Sequence, residues 1–124
     1  MRSEEVGGGV LEHWTPEEVR AAFDKNEIVL IDVRAPTEYA FETIESALLA
    51  PIVTFNPDKL PSQDGKPIIF YCGGGGRSRR AAELTLKSIG GKAAHMEGGF
   101  GAWKKSGLPY IGTEPTTGAP RRMP

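Results

Sequence analysis

Two kinds of apolar pattern alternate along the chain. IVLIDV (28–33) and PIIFY (67–71) are near-continuous apolar runs, as expected for strands of a parallel sheet buried on both faces. KAAHM (92–96) and the shorter ALLAPI (47–52) read as two further strands. Thr15-Pro16-Glu17-Glu18 joins an N-cap threonine, a first-turn proline and a glutamate three residues after the cap, so a helix is expected from there to about residue 24. A short helix follows over 36–41. Between 77 and 89, Ala81, Ala82, Thr85, Leu86 and Ile89 fall on one side of a helix, with Arg80, Glu83 and Lys87 opposite. Gly90-Gly91 stops that helix. EGGFG (97–101) reads as a turn before a last short helix over 102–106. Strands alternating with helices predict an α/β domain whose central, mostly parallel sheet is flanked by helices on both faces.

That domain is expected to occupy 11–111. A flexible leader at 1–10, with three glycines at 7–9, would precede it, and a loose Gly-, Pro- and Thr-rich tail at 112–124 would follow. FNPDKLPSQDGKP (55–67) is turn-rich and expected to loop over the surface. With 15 basic and 16 acidic residues the formal net charge is -1, so no whole-protein basic field points to nucleic acid. No apolar run approaches the roughly 18–20 residues of a membrane span. The first ten residues lack the basic start and apolar stretch of a signal peptide. One cysteine cannot form an internal disulfide, so a reducing compartment and a cytoplasmic location are expected.

The cysteine is where chemistry concentrates. Cys72 ends the PIIFY strand and is followed by Gly73, Gly74, Gly75 and Gly76, then Arg77 and Ser78 at the start of a helix. Four glycines cost roughly 2–4 kcal/mol in backbone entropy relative to alanine, more than a tight turn requires. The carboxyl end of a strand in an open α/β sheet is where ligands bind. Amides of residues 73–78 can converge there as an anion nest, reinforced by the helix N-terminus. Focused on a thiol, such a field favours the thiolate, which is the nucleophile.

The sequence resembles the single-domain rhodaneses, a family of sulfurtransferases, over about residues 13–110. IDVRAPTEY (31–39), CGGGGRS (72–78) and EGGFGAWKKSGLP (97–109) carry the resemblance, in that order. It implies a rhodanese-like fold and a reaction in which Cys72 takes sulfane sulfur from a donor such as thiosulfate. The resulting persulfide would pass its outer sulfur to a thiophilic acceptor, cyanide or a protein thiol, with no cofactor. Gly75 and Arg77 match the loop pattern C-x-x-G-x-R, and Arg77 would bind the anionic part of the donor or brace the loop. Asp32 and Arg34 match a D-x-R pair that supports the site, or that forms only a strand-end salt bridge. Glu38 matches a family position and also suits a helix cap. In two places the chain departs from the pattern. Gly73 stands where thiosulfate-specialised members often have arginine, which weakens the case for thiosulfate. Thr43, within ETIESA (42–47), stands where the family usually has histidine, so altered local packing is expected there.

Rival readings are a persulfide carrier that relays sulfur between proteins, a non-catalytic docking module, and a phosphatase or arsenate reductase of related fold. The last group uses a C-x5-R loop, but position 78 is serine. His13 and His95 lack metal-ligand spacing, so no metal site is expected. Trp14 and Trp103 read as packing anchors.

Overall fold

The computed structural model of the chain describes residues 1–61 and 65–123. In chain order the elements are β1 (Arg2–Val6), β2 (Gly9–Trp14), α1 (Pro16–Asp24), β3 (Val29–Asp32), α2 (Pro36–Phe41), β4 (Leu48–Leu49), β5 (Ile68–Tyr71), α3 (Gly76–Ile89), β6 (Gly91–Met96), α4 (Gly99–Lys105), β7 (Tyr110–Thr113) and β8 (Pro120–Met123). The main sheet has the order β1-β2-β6-β5-β3-β4. All its pairings are parallel except β1 with β2.

The apolar runs are buried on both faces, as their composition implies. Leu30, Ile69 and Tyr71 point into one core layer, with Val19 and Ala22 of α1 and Phe100 and Trp103 of α4. Their neighbours Ile31, Phe70 and Cys72 point into the other, against Ala81, Ala82 and Leu86 of α3. Period-two alternation along each strand therefore feeds two helical layers. The capping box of α1 forms as written: Glu18 N–H donates to Thr15 Oγ1 at 3.2 Å, and Thr15 N–H to Glu18 Oε1 at 2.9 Å.

Five expectations change. The segment read as a flexible leader forms β1 and begins β2, in register from Arg2 opposite His13 to Val6 opposite Gly9. An edge strand with a polar outer side carries little apolar alternation, which is why composition hid it. The tail forms a hairpin, β7 with β8, anchored by a bridge in which Thr43 and Ile111 exchange backbone hydrogen bonds of 2.9 and 2.8 Å. Of ALLAPI only Leu48–Leu49 is strand, and 3-10 turns follow at Ile52–Thr54 and Pro57–Lys59. Residues 62–64 of the turn-rich segment lie outside the described residues. Ile89 is exposed at the end of α3, while Ser78 takes a buried place in its first turn. Finally, α4 starts at Gly99, inside the segment read as a turn. Among the described residues, no helix is long and apolar enough to cross a membrane.

Candidate active site

Cys72 leaves the end of β5 with its side chain turned inward and only 1% exposed. The chain then bends through Gly73, Gly74 and Gly75 into α3. Gly75 N–H donates to Cys72 Sγ at 3.0 Å, and Ser78 Oγ lies 3.6 Å from the same sulfur. Burial pushes the Cys72 thiol up, but the N–H and O–H of Ser78 and the amides of Gly75 and Gly74 outweigh it and hold the thiol below its ordinary value. The site is therefore built to carry negative charge on sulfur.

The four glycines do different work. Gly75 adopts φ +113°, a conformation that L side chains rarely adopt. A Cβ at Gly74 or Gly76 would meet nothing within 4 Å, and both positions are exposed. These two leave the mouth of the loop open rather than shaping the backbone. A Cβ at Gly73 would lie 3.2 Å from an Arg77 guanidinium nitrogen.

Arg77 turns from the loop toward α2, where Glu38 takes both its terminal nitrogens at 2.6 and 3.1 Å. Arg77, opposed by partial burial, holds the Glu38 carboxyl down to about 2, with help from the Ala35 amide. Glu38 Oε1 also accepts the Ala35 N–H at 3.1 Å. The loop arginine is thus braced and its charge matched.

Asp32 and Arg34 form a buried pair at the end of β3. Arg34 Nε lies 3.0 Å from each Asp32 oxygen, and a terminal nitrogen donates to Oδ2 at 2.8 Å and to the Glu42 carbonyl at 2.6 Å. The guanidinium lies over the Phe100 ring, 4.8 Å from its centroid. It therefore joins the end of β3 to α4 as packing and as charge.

Other groups were not legible as parts of the site. The amides of Phe100 and Gly101 donate to the carbonyls of Cys72 and Gly73, at 2.7 and 3.0 Å. This clasp needs Gly99, where a Cβ would fall 2.5 Å from the Cys72 carbonyl oxygen. The repeated glycines of EGGFG were the available signal. Tyr71 OH accepts the Ile44 N–H at 3.3 Å and lies 3.1 Å from Thr43 Oγ1, so Thr43 ties the segment after α2 to β5. His13 and His95, set apart by sequence distance, meet at 2.8 Å in adjacent parallel strands behind Ser78. Among the described residues, no group of three or more His, Cys, Asp or Glu could hold a metal ion.

The family model described as a rhodanese-like domain matches residues 15–106. An uncharacterized protein of Synechocystis sp., slr1261, is 36% identical over 100 residues, covering 80% of this chain and 55% of its own length. The chain thus spans about half of that relative. A protein of Allochromatium vinosum named sulfurtransferase is 29% identical over 93 residues, covering 73% of this chain and 85% of its own. Among solved structures, a rhodanese-related protein from Thermoplasma volcanium superposes with a TM-score of 0.68 at 24% identity, over 81% of this chain and 97% of its own, which bears on the fold alone.

Proposed function

The chain belongs to the rhodanese-like domain family, and from that premise we propose that it moves sulfane sulfur from a donor such as thiosulfate to a thiophilic acceptor, cyanide or a thiol, through a persulfide on Cys72. The observation that carries this reading is the Gly75 N–H donating to Cys72 Sγ at 3.0 Å, in a loop whose polar groups hold the thiol below its ordinary value. The thiolate attacks the outer sulfur of the donor. A new S–S bond forms, the donor's own S–S bond breaks, and its electron pair leaves with sulfite. The outer sulfur then lies toward the loop amides, whose fixed dipoles hold its charge without reorganisation. The bond-making step starts from the thiolate and itself removes no proton. In the second half-reaction the acceptor attacks the outer sulfur, and the bonding pair returns to Cys72.

A persulfide carrier in a sulfur relay is the second reading, and the pairing of Arg77 with Glu38 favours it. Arg34 is likewise held by Asp32, and position 73 brings no cation, so a small dianion finds little unmatched positive charge at the loop. A partner's cysteine needs room instead, and Gly74 and Gly76 provide it.

Intact mass before and after thiosulfate, then after cyanide, tests the proposal, with Cys72→Ser alongside. The expected result is a gain of one sulfur that cyanide removes and the variant lacks. Charging only by a persulfide-bearing donor protein would select the carrier reading, and no charging by either donor would overturn both.

A further inference from the structure

The Ser78 hydroxyl has one proton and three acceptors within reach: Cys72 Sγ at 3.6 Å, the Gly75 carbonyl at 3.1 Å and His95 Nδ1 at 3.0 Å. From His95 the contacts continue away from the loop. His95 Nε2 lies 2.8 Å from His13 Nδ1, and His13 Nε2 lies 2.9 Å from Glu4 Oε1. Ser78, His95 and His13 are 0%, 4% and 3% exposed, whereas the Glu4 side chain is 37% exposed. A continuous line of hydrogen bonds therefore runs from the buried sulfur through α3, β6 and β2 to the open edge at β1.

The chemistry of the groups sets the direction of this line. Glu4 accepts Arg79 on both oxygens, at 3.1 and 3.0 Å, and those bonds, followed by the one from His13, hold its carboxyl at about 2. A carboxylate only accepts, so His13 Nε2 carries a hydrogen. With a single proton on His13, its Nδ1 accepts from His95 Nε2–H, and His95 Nδ1 accepts from the Ser78 hydroxyl. The free lone pair of that hydroxyl then faces the thiol. Every donor points from sulfur toward Glu4. Burial first, then His13 and Arg79, hold His95 at about 4, which keeps it uncharged at neutral pH. The charged groups facing the pair are Glu4 and Arg2 of β1, Arg79 of α3 and Glu97 beyond β6.

We propose that Ser78, His95 and His13, ending on Glu4, form a proton relay that carries the Cys72 proton to and from the β1 edge while sulfur is charged and discharged. The relay rests on the reading of Cys72 as the sulfur-carrying nucleophile. On ionisation the thiol gives its proton to Ser78 Oγ as Ser78 gives its own to His95 Nδ1, and His95 passes its Nε2 proton to His13 Nδ1. The products are a thiolate and an imidazolium beside the Glu4 carboxylate, so charge and atoms balance with no co-reactant. On discharge an acceptor thiolate takes the outer sulfur, the S–S bond breaks, and its electron pair stays on Sγ. The reverse shift then returns the proton from His13 to that sulfur. The route is useful because the mouth of the loop is occupied by the reactants, and the inner sulfur is shielded from water there.

The test is the rate of Cys72 alkylation by iodoacetamide against pH, for the wild type, His95→Gln, His13→Gln and Glu4→Gln. Glutamine can replace hydrogen bonds of histidine but cannot pass a proton between two ring nitrogens. In either histidine variant the His13 imidazolium beside Glu4 no longer forms when the thiol ionises, so the thiolate loses its internal proton acceptor. A loss of roughly tenfold in rate at pH 7 is expected, with the profile moved up by about one unit. The ring nitrogens of His13 pair with His95 and Glu4 and not with Cys72 or Ser78, so a displaced profile in His13→Gln is not the response expected of loop packing alone. A His13→Gln profile that superimposes on the wild type would overturn the relay, even where His95→Gln shifts. Glu4→Gln removes the counter-charge beside the His13 imidazolium and is also expected to move the profile up. Should His95→Gln fail to fold, unchanged profiles in His13→Gln and Glu4→Gln would overturn the relay. Failure of the sulfur reading shows separately, as a wild-type mass that no sulfur donor changes.

Discussion

Arg77 and Glu38 lie 39 residues apart in sequence and meet as a two-pronged ion pair that ties the cysteine loop to the first turn of α2. The pairing decides what the arginine offers a substrate. A guanidinium already matched by a carboxylate attracts a small anion weakly, and the pair is half-exposed, so salt weakens it further.

Glu38→Gln should therefore release the cation without removing the cap, because the glutamine oxygen still accepts the Ala35 amide. The Michaelis constant for thiosulfate is expected to fall about two- to fivefold with kcat nearly unchanged. Glu38 is depressed in the fold to about 2, so the pairing is present above its ordinary value of 4.5 and is lost as pH falls toward 2. The gain should accordingly be constant between pH 6 and 8. An unchanged or higher Michaelis constant would show that Arg77 serves only to brace the loop.

The loop glycines should separate in their effects. Gly75→Ala forces a side chain onto φ +113° and disturbs the amide that donates to Cys72 Sγ, with a strain of roughly 1–3 kcal/mol. The thiol profile is expected to move up and the melting temperature down. Gly74→Ala places its methyl in open space and should leave both unchanged, while slowing transfer to a bulky protein thiol more than to cyanide. Equal effects of the two substitutions on the thiol profile would refute this division of roles.

Gly99→Ala probes the clasp from the opposite side. The new Cβ would fall 2.5 and 2.6 Å from the carbonyl oxygens of Cys72 and Gly73, both backbone atoms, so either α4 or the loop must shift. Slower alkylation of Cys72 together with lower thermal stability is the expected result. Native reactivity in this variant would mean that the amides of Phe100 and Gly101 do not position the loop.

Much of this arrangement was legible because local chemistry and global packing agree. The buried runs IVLIDV and PIIFY, the capping box at Thr15 and the glycines after Cys72 each signal their structure within a few residues. What escaped depends on contacts between distant segments. β1 is polar because it is an edge, and its Glu4 acquires meaning only when β2 places His13 beside it. His13 and His95 come together because β2 and β6 are parallel neighbours, a pairing that no spacing in the sequence announces. α4 begins early because its first amides find the carbonyls of Cys72 and Gly73, which a reading of EGGFG by turn propensity cannot see.

The Asp32–Arg34 pair should prove costly to break. Both side chains are buried, at 0% and 5% exposure. Arg34→Met keeps much of the packing over Phe100 but strands the Asp32 carboxylate without its cation. A loss of roughly 3–5 kcal/mol is expected in urea unfolding, part of it recovered in Asp32→Asn/Arg34→Met. A loss below about 1 kcal/mol would place the pair among surface-like bridges of little consequence.

Stability should also report on the buried histidine independently of any reaction. His95 binds a proton at about 4 in the fold, against an ordinary value of 6.5, chiefly because burial disfavours its charged form. Between those values the unfolded chain holds the extra proton and the folded chain does not. Stability must then fall as pH is lowered from 6.5 toward 4, with a slope of at most about 1.4 kcal/mol per pH unit, and this contribution levels off below. His95→Gln removes the titrating group, so its urea midpoint should vary less over that window than the wild type's. Midpoints that fall in parallel for the two proteins would mean that His95 is protonated in the fold as readily as in the unfolded chain.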